Sequence, residues 1–309
     1  MRTAVLDLGS NSTRLLIADV DDGRIREVLK RSTVTRLAQG VDGSGRLDDD
    51  AVARVLEALD DYTQMIADHG AERAIAVMTS AVRDAANGQE FAERISDGYD
   101  FDARILTGDD EARLTFAGAT SERPPDDHVT RLVIDIGGGS TEFVVGTGHE
   151  MSFHTSTQVG VVRHSERHLH TDPPQADELQ AISTDVRATF ADAIPPTAIS
   201  TVKAAIAVAG TATSCAALVQ RLQPYDSKKV EGYVLTLTEI EALLARLSRM
   251  NEAERRQQPG LHPDRAATIV PGIVLLAESL RAFGLDRTEV SEHDLLRGVA
   301  LTAEAKSFG

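Results

Sequence analysis

The chain has 309 residues, 42% apolar and 26% charged, with 32 Lys+Arg against 48 Asp+Glu for a net charge of −16. At about 150 residues per domain this makes two domains, and the apolar content excludes a disordered chain. The acidic balance excludes duplex nucleic acid as a partner, because phosphate contacts need Lys and Arg, and the lone Cys215 excludes an intrachain disulfide and a disulfide-built secreted scaffold. The opening Met1-Arg2-Thr3-Ala4-Val5-Leu6-Asp7 has too short an apolar run for a signal peptide. The longest apolar stretch, 269–277, contains Pro271 and Gly272 and is about half a membrane span. A cytoplasmic chain with no membrane and no nucleic-acid partner is expected.

In chain order, apolar β-branched runs at 3–8, 13–20 and 24–30 are separated by the turns Gly9-Ser10-Asn11-Ser12 and Asp21-Asp22-Gly23, which is hairpin patterning. Over 47–70, Val52, Val55, Leu56, Leu59, Tyr62, Met65 and Ile66 share one 3.6-period stripe. Asp48, Asp49 and Asp50 complement the dipole at its start, and Gly70 ends it. Strands are expected at 74–78 and 103–106, and helices at 89–95 and 109–119. Pro124-Pro125-Asp126-Asp127 marks a linker over 121–130. The opening pattern then returns as a strand at 132–136, the turn Gly137-Gly138-Gly139-Ser140, and a strand from 141 to 146. Asp135 repeats Asp7 at an offset of 128 residues, which implies a duplicated β-hairpin-plus-helix domain. The remainder reads as mainly helical, over 159–168, 175–191, 212–221, 238–248, 264–283 and 292–305, with one further strand at 205–209.

Asp135-Ile-Gly-Gly-Gly-Ser-Thr-Glu142 carries the sharpest chemistry. Its glycines permit φ > 0 and close approach to a ligand, and successive N–H groups there can form an anion-binding nest. Ser140 and Thr141 add hydroxyl donors, and Asp135 with Glu142 can hold a hard cation such as Mg²⁺. A plain glycine-rich hairpin with Asp135 capping its turn is the competing reading. Asp7-Leu-Gly-Ser-Asn-Ser12 is the same device with Ser10, Asn11 and Ser12 as donors, or an ordinary hairpin turn. Gly210-Thr211 opens a strand-to-helix turn suited to a terminal phosphate or to capping. Glu111, in Asp109-Asp110-Glu111, is either a dipole complement or a general base for water. Arg83 is either a phosphate clamp or half of a surface ion pair. Arg265 begins a helix, where a cation is unusual without an anion nearby. His164, His168 and His170 tempt as a metal cluster, but His164-Ser-Glu-Arg-His168 sets its Glu one position too late for the metalloprotease pattern, so no zinc site is expected. Cys215 sits on an apolar helix face and is expected to be a buried thiol.

With these residues assembled, the chain resembles the exopolyphosphatase/guanosine pentaphosphate phosphohydrolase (Ppx/GppA) family over nearly its whole length. The resemblance runs through DLGSNS (7–12), TSAVRDAAN (79–87), TGDDEARL (107–114), IDIGGGSTE (134–142), VGVVRHSE (159–166), AGTATS (209–214), HPDR (262–265) and LLRGVAL (295–301). It implies an α/β fold of two actin-like, ribonuclease-H-like domains, divided at about 123/124, with an active-site cleft that closes by hinge motion and the last helix, about 292–309, packing back on the first domain. It implies hydrolysis of a terminal phosphoanhydride of inorganic polyphosphate or guanosine pentaphosphate, with Mg²⁺ or Mn²⁺ as cofactor and a homodimer as assembly. Glu111 matches the family's catalytic base. Asp135 and Glu142 match acidic positions that hold the metal and position water, and Asp7 is a further metal candidate. The turns around Ser10-Asn11-Ser12 and Gly137-Gly138-Gly139-Ser140-Thr141 match phosphate loops, joined by Gly210 and Thr211. Arg14, Arg83 and Arg265 stand where the family places substrate-facing cations.

Three departures matter. Asp109 and Asp110 stand where the family often has Glu. Ala209 replaces a glycine that commonly precedes the Gly-Thr of the third loop, which counts against tight nucleotide binding there. The chain stops near 309 where longer relatives continue into a helical extension, which favours short-chain substrates. A kinase of the same superfamily and a non-catalytic alarmone sensor are the competing functional readings. Intact Glu111, Asp135 and Glu142 weigh against the sensor.

Overall fold

A computed structural model describes residues 1–124 and 126–303. The chain divides into two compact units, Met1–Ser121 together with the segment from His293, and Glu122–Glu292.

The first unit opens with β1 (Arg2–Leu8), β2 (Ser12–Asp21) and β3 (Arg24–Val34), followed by a one-turn helix α1 (Val41–Ser44) and the long α2 (Asp49–Asp68). Then come β4 (Arg73–Met78), α3 (Ser80–Asp84), α4 (Gly88–Gly98), β5 (Asp102–Ile105) and α5 (Gly108–Thr120). The sheet order is β3-β2-β1-β4-β5, with β1 antiparallel to β2 and parallel to β4. Side chains alternate across a strand, so Ala4, Leu6 and Leu8 face one core with α2, while Val5 faces another. Both faces are buried, which is why β1 reads as a continuous apolar run and not as an alternation. Asp48 caps α2, its carboxylate accepting from the N–H groups of Asp50 and Ala51.

The second unit repeats the plan. It runs β6 (Thr130–Ile136), β7 (Thr141–Thr147), β8 (Glu150–Thr157), α6 (Val161–His168), α7 (Ala176–Ala193), α8 (Pro196–Thr201), β9 (Ala204–Val208) and α9 (Ala209–Gln220). It continues through α10 (Ser227–Val230), β10 (Val234–Thr236), α11 (Leu237–Leu247), α12 (Glu252–Arg255), a 3-10 turn (Pro263–Arg265), α13 (Ile269–Ala282) and β11 (Arg287–Val290). The sheet order is β10-β11-β9-β6-β7-β8. β6 is antiparallel to β7 and parallel to β9, as β1 is to β2 and β4. The chain therefore has the two-unit α/β architecture that the resemblance implies.

The final helix α14 (Leu295–Ala303) belongs to the first unit. Leu295, Leu296, Val299, Ala300 and Ala303 join the core of Val5, Val77 and Leu114. Gly118 of α5 and Gly298 of α14 let the two backbones meet. A Cβ on Gly118 would lie 2.0 Å from the Asp294 carbonyl oxygen, and one on Gly298 1.8 Å from that of Leu114. Pro125 of the expected linker, and the part of the expected last helix beyond 303, lie outside the described residues.

The structure corrects the expected elements in two places. Strands β8, β10 and β11 stand where only helices and one further strand were expected. β8 is a polar edge strand, and β10 and β11 are too short to show a period. The expected helix at 264–283 is two elements, since Ala266–Thr268 separates the 3-10 turn from α13. Among the described residues, no helix is long and apolar enough to cross a membrane.

Candidate functional site

The repeated turns are closed by the same hydrogen bond. Gly9 N–H donates to the Ser12 carbonyl at 3.1 Å, and Gly137 N–H to the Ser140 carbonyl at 2.9 Å. In each turn the carbonyls face the protein. Asn11 O accepts from Thr35 and Arg36, and Ser10 O from Ala38. Gly137 O accepts from Val161, and Gly138 O from Val162 and Arg163, at the start of α6. The N–H groups of Ser10, Asn11, Gly138, Gly139 and Ser140 find no protein acceptor among the described residues. Inward carbonyls and free consecutive amides are the arrangement of an anion nest.

The expected role of the glycines needs correction. The left-handed glycines lie elsewhere, and none of Gly137, Gly138 or Gly139 is among them. Nor is Asn11 left-handed. What demands small residues is proximity, because a Cβ on Gly160 would lie 2.3 Å from Gly138 O and 2.4 Å from the Gly139 carbonyl carbon. The missing Cβ of Gly160 lets the N-terminus of α6 seat directly on the turn.

The strand register then places the charges. Asp7 lies opposite Arg14 on β1 and β2, and Asp135 opposite Glu142 on β6 and β7. In the first unit the two form an ion pair, with Arg14 Nε 2.8 Å and Nη2 2.5 Å from Asp7 Oδ2. The other arm of Arg14 binds Asp294, a residue the sequence reading missed. Burial pushes the Asp7 carboxyl above its ordinary range, and the Arg14 charge offsets this only in part. Burial also opposes ionisation of Asp294, but Arg14, Lys30 and the Leu296 N–H hold it below the ordinary range. Arg14 is thus engaged by two carboxylates, and Asp7 faces a guanidinium.

In the second unit two carboxylates oppose each other. Asp135 is 8% and Glu142 2% exposed. Glu142 Oε1 accepts from Ser156 Oγ of β8 at 2.8 Å. Directly opposed like charges destabilise a strand pair, and burial sharpens the repulsion. Two hard oxygen donors in that position fit a divalent cation such as Mg²⁺ or Mn²⁺. Ser140 and Thr141 are buried beside them, and Thr141 Oγ1 donates to Val159 O at 2.6 Å.

Glu111 sits in the first turn of α5, behind the Thr107 cap. Glu111 is 7% exposed, and Arg83 of α3 donates to Oε2 at 2.9 Å. The same Arg83 nitrogen, Nη1, also donates to Leu106 O at 3.1 Å. Burial pushes Glu111 above the ordinary carboxylate range, with Asp7 adding to the rise while Arg83 and Arg14 oppose it. Ser10 Oγ meets Ser80 Oγ of α3 at 2.9 Å, which ties the first turn to the helix that carries Arg83.

The third turn begins at Ala209, whose φ of 61° is left-handed backbone for an L-residue. This is the position where the family pattern has glycine. Arg265 packs flat over Gly210, where a Cβ would lie 1.8 Å from Nη1. Thr211 is buried at the start of α9, beside Gly272 of α13. Cys215 is fully buried, and its thiol is pushed up to about 12 by burial alone.

A duplicated α/β chain with two anion nests, a buried carboxylate pair and a raised-pKa glutamate defines a phosphate-handling protein. The chain belongs to the Ppx/GppA phosphatase family, whose model matches residues 16–307. It is 36% identical to Exopolyphosphatase 2 of Mycobacterium tuberculosis over 97% of this chain and 98% of that protein. It is 32% identical to the bifunctional 3-dehydroquinate synthase/phosphatase of Fusobacterium nucleatum, over 96% of this chain and 46% of that one. Among solved structures, it aligns with an exopolyphosphatase-like protein at TM-score 0.92 and 33% identity, covering 98% and 97% of the two chains. The Aquifex aeolicus Ppx/GppA family member aligns at TM-score 0.81 and 31% identity, covering 100% and 99%.

Proposed function

We propose that this chain is an exopolyphosphatase that removes the terminal phosphate of short-chain inorganic polyphosphate, releasing orthophosphate. The observation that carries the reading is the pair of turns closed by the same Gly N–H to Ser carbonyl bond, each leaving consecutive amides without a protein acceptor among the described residues. Such amides bind phosphoryl oxygens without a counter-proton.

Glu111 is the proposed general base. Arg83 holds Oε2 in place, and Oε1, with no hydrogen bond to the protein among the described residues, is the oxygen that takes the proton from water. A raised pKa brings the base nearer to neutral pH, where proton transfer is most effective. The water oxygen bonds to the terminal phosphorus as the bridging P–O bond breaks. The shortened chain leaves with the bridging oxygen, and the free amides hold the charge that accumulates on the equatorial oxygens. Asp135 and Glu142 are the proposed holders of Mg²⁺ or Mn²⁺, which when bound neutralises phosphate charge and polarises the phosphoryl group. Ser156 fixes the orientation of Glu142 for that task. Ser10, Ser12, Ser140, Thr141, Gly210, Thr211 and Arg265 are the proposed further phosphate contacts.

Orthophosphate release tests the reading, with short-chain polyphosphate and guanosine pentaphosphate in parallel, each with and without Mg²⁺. Metal-dependent release from polyphosphate is expected. Release from the nucleotide alone would make the chain a guanosine pentaphosphate phosphohydrolase, and phosphorylation of an acceptor by ATP would make it a kinase.

A further inference from the structure

The three histidines set aside on sequence grounds return in the fold. His164 and His168 lie one turn apart on α6, and Asp185 faces them from α7. One ligand atom from each lies within 4.8 Å of the others, and His170 takes no part. His168 Nε2 is 3.0 Å and His164 Nε2 3.6 Å from Asp185 Oδ2.

The protonation pattern makes this cluster unusual. His164 Nδ1 lies 3.1 Å from Gly160 O, and a carbonyl only accepts, so Nδ1 carries the hydrogen. Nε2 of the neutral ring therefore presents a lone pair. His164 is 1% exposed, and this Nε2 has no hydrogen-bond partner. A buried lone pair thus points towards a carboxylate, an arrangement that a cation between them would satisfy.

We propose that His164, His168 and Asp185 form a binding site for a Zn²⁺-type cation, with water completing the coordination. Two imidazoles and one carboxylate suit zinc and its borderline neighbours better than Mg²⁺. Ligands at about 2.0–2.1 Å in a tetrahedron lie roughly 3.4 Å apart, close to the 3.0 and 3.6 Å found. Histidines at i and i+4 present both rings on one helix face. The Gly160 carbonyl supplies the outer hydrogen bond that fixes the tautomer of a zinc-bound histidine. Arg167 shares Asp185 Oδ2 at 3.2 Å, but its side chain is 43% exposed, and hydration compensates its withdrawal. The ion would tie α6 to α7. Gly160 O is also the cap end of α6, so the ion would brace the helix that holds Gly137 and Gly138.

The test uses the full chain, stripped with a chelator and titrated with Co²⁺ as spectroscopic probe. The intense visible absorption of a four-coordinate ion should appear, as distinct from the weak absorption of Co²⁺ on oxygen ligands alone, and Zn²⁺ should abolish it. His168→Gln and Asp185→Asn, both at partly exposed side chains, should each weaken binding at least about tenfold. Glu142→Gln should leave the absorption unchanged. Zn²⁺ should raise the melting temperature of the native chain and of neither cluster variant. A folded native chain that takes up no Co²⁺ overturns the proposal. So does absorption that persists in both cluster variants, or that vanishes only with Glu142→Gln.

Discussion

Glu111→Gln tests the proposed chemistry most directly. Glutamine keeps the shape and still accepts from Arg83, so the structural consequence is small. What it loses is the ability to take a proton. General-base catalysis contributes about 10²- to 10⁴-fold, and at ~1.36 kcal/mol per decade this is about 2.7–5.4 kcal/mol of transition-state stabilisation. The expected result is a loss of orthophosphate release of that size, with polyphosphate binding retained. Burial raises the folded-state pKa of Glu111 above its ordinary value of 4.5. Two pH effects follow. The native rate should fall as pH drops through that raised pKa, because only the carboxylate accepts a proton, and the variant should lack this limb. Stability takes the opposite sign. The unfolded chain gives up the proton first, so Glu111 costs the native fold stability as pH rises from 4.5 through the raised value. The variant escapes that cost, and its melting temperature at pH 7 should equal or exceed the native one. A variant that keeps more than about a tenth of native turnover would sink the base assignment. So would a native rate that stays flat down to pH 4.5.

Three other substitutions probe the frame around the site. Gly160→Ala puts a Cβ 2.3 Å from Gly138 O, which should cost about 1–3 kcal/mol and raise KM for polyphosphate; an unchanged melt and KM would show that α6 does not seat on the turn. Ala209→Gly removes a left-handed L-residue, a gain of about 1–2 kcal/mol reduced by about 0.4–1 for the freer unfolded chain, so denaturant unfolding should show the variant more stable, and a clear loss would contradict this. Asp294→Ala deprives Arg14 of one of its two carboxylates and α14 of the acceptor for Leu296 N–H. It should lower stability by about 1.5–3 kcal/mol, and Asp294→Asn should recover part. Because the Asp294 pKa is depressed in the fold, this contribution is present above its ordinary value of 3.8 and fades as pH falls through the lowered one. A difference between native and variant that does not shrink in acid would refute the ion-pair origin.

The duplication was legible because it is written in local chemistry. Asp7 and Asp135 end apolar runs, and Gly/Ser/Asn turns follow each. The long helix α2 was legible because its stripe and its Asp48 cap agree. β8 was not, since an edge strand half open to water carries no apolar alternation. The partners of the charged residues were equally hidden. Arg83 and Arg14 were expected to face substrate, yet each is bound to protein carboxylates, and one of these, Asp294, is 280 residues from Arg14. A sequence shows that a cation is available, and only the fold shows what it is paired with. Asp185, remote from His164 and His168 in the chain, was invisible for the same reason.

The two copies of the turn differ most informatively in a single charge. Position for position, Arg14 in the first unit corresponds to Glu142 in the second, each opposite the aspartate that ends the preceding strand. In the first copy Arg14 pairs with Asp7 Oδ2 and a second carboxylate from Asp294 holds the guanidinium, while Asp7 Oδ1 is buried without a hydrogen-bond partner. The other copy sets two buried carboxylates, Asp135 and Glu142, opposite each other. The amides of both turns have no protein acceptor among the described residues, and under the proposed function only the second copy brings a carboxylate pair for a metal. This division makes physical sense for phosphoryl transfer, in which the polyanionic substrate needs positive potential from several directions and a cation held at only some of its oxygens. The close approach at the second turn falls on Gly160, where a Cβ would meet the backbone of Gly138 and Gly139.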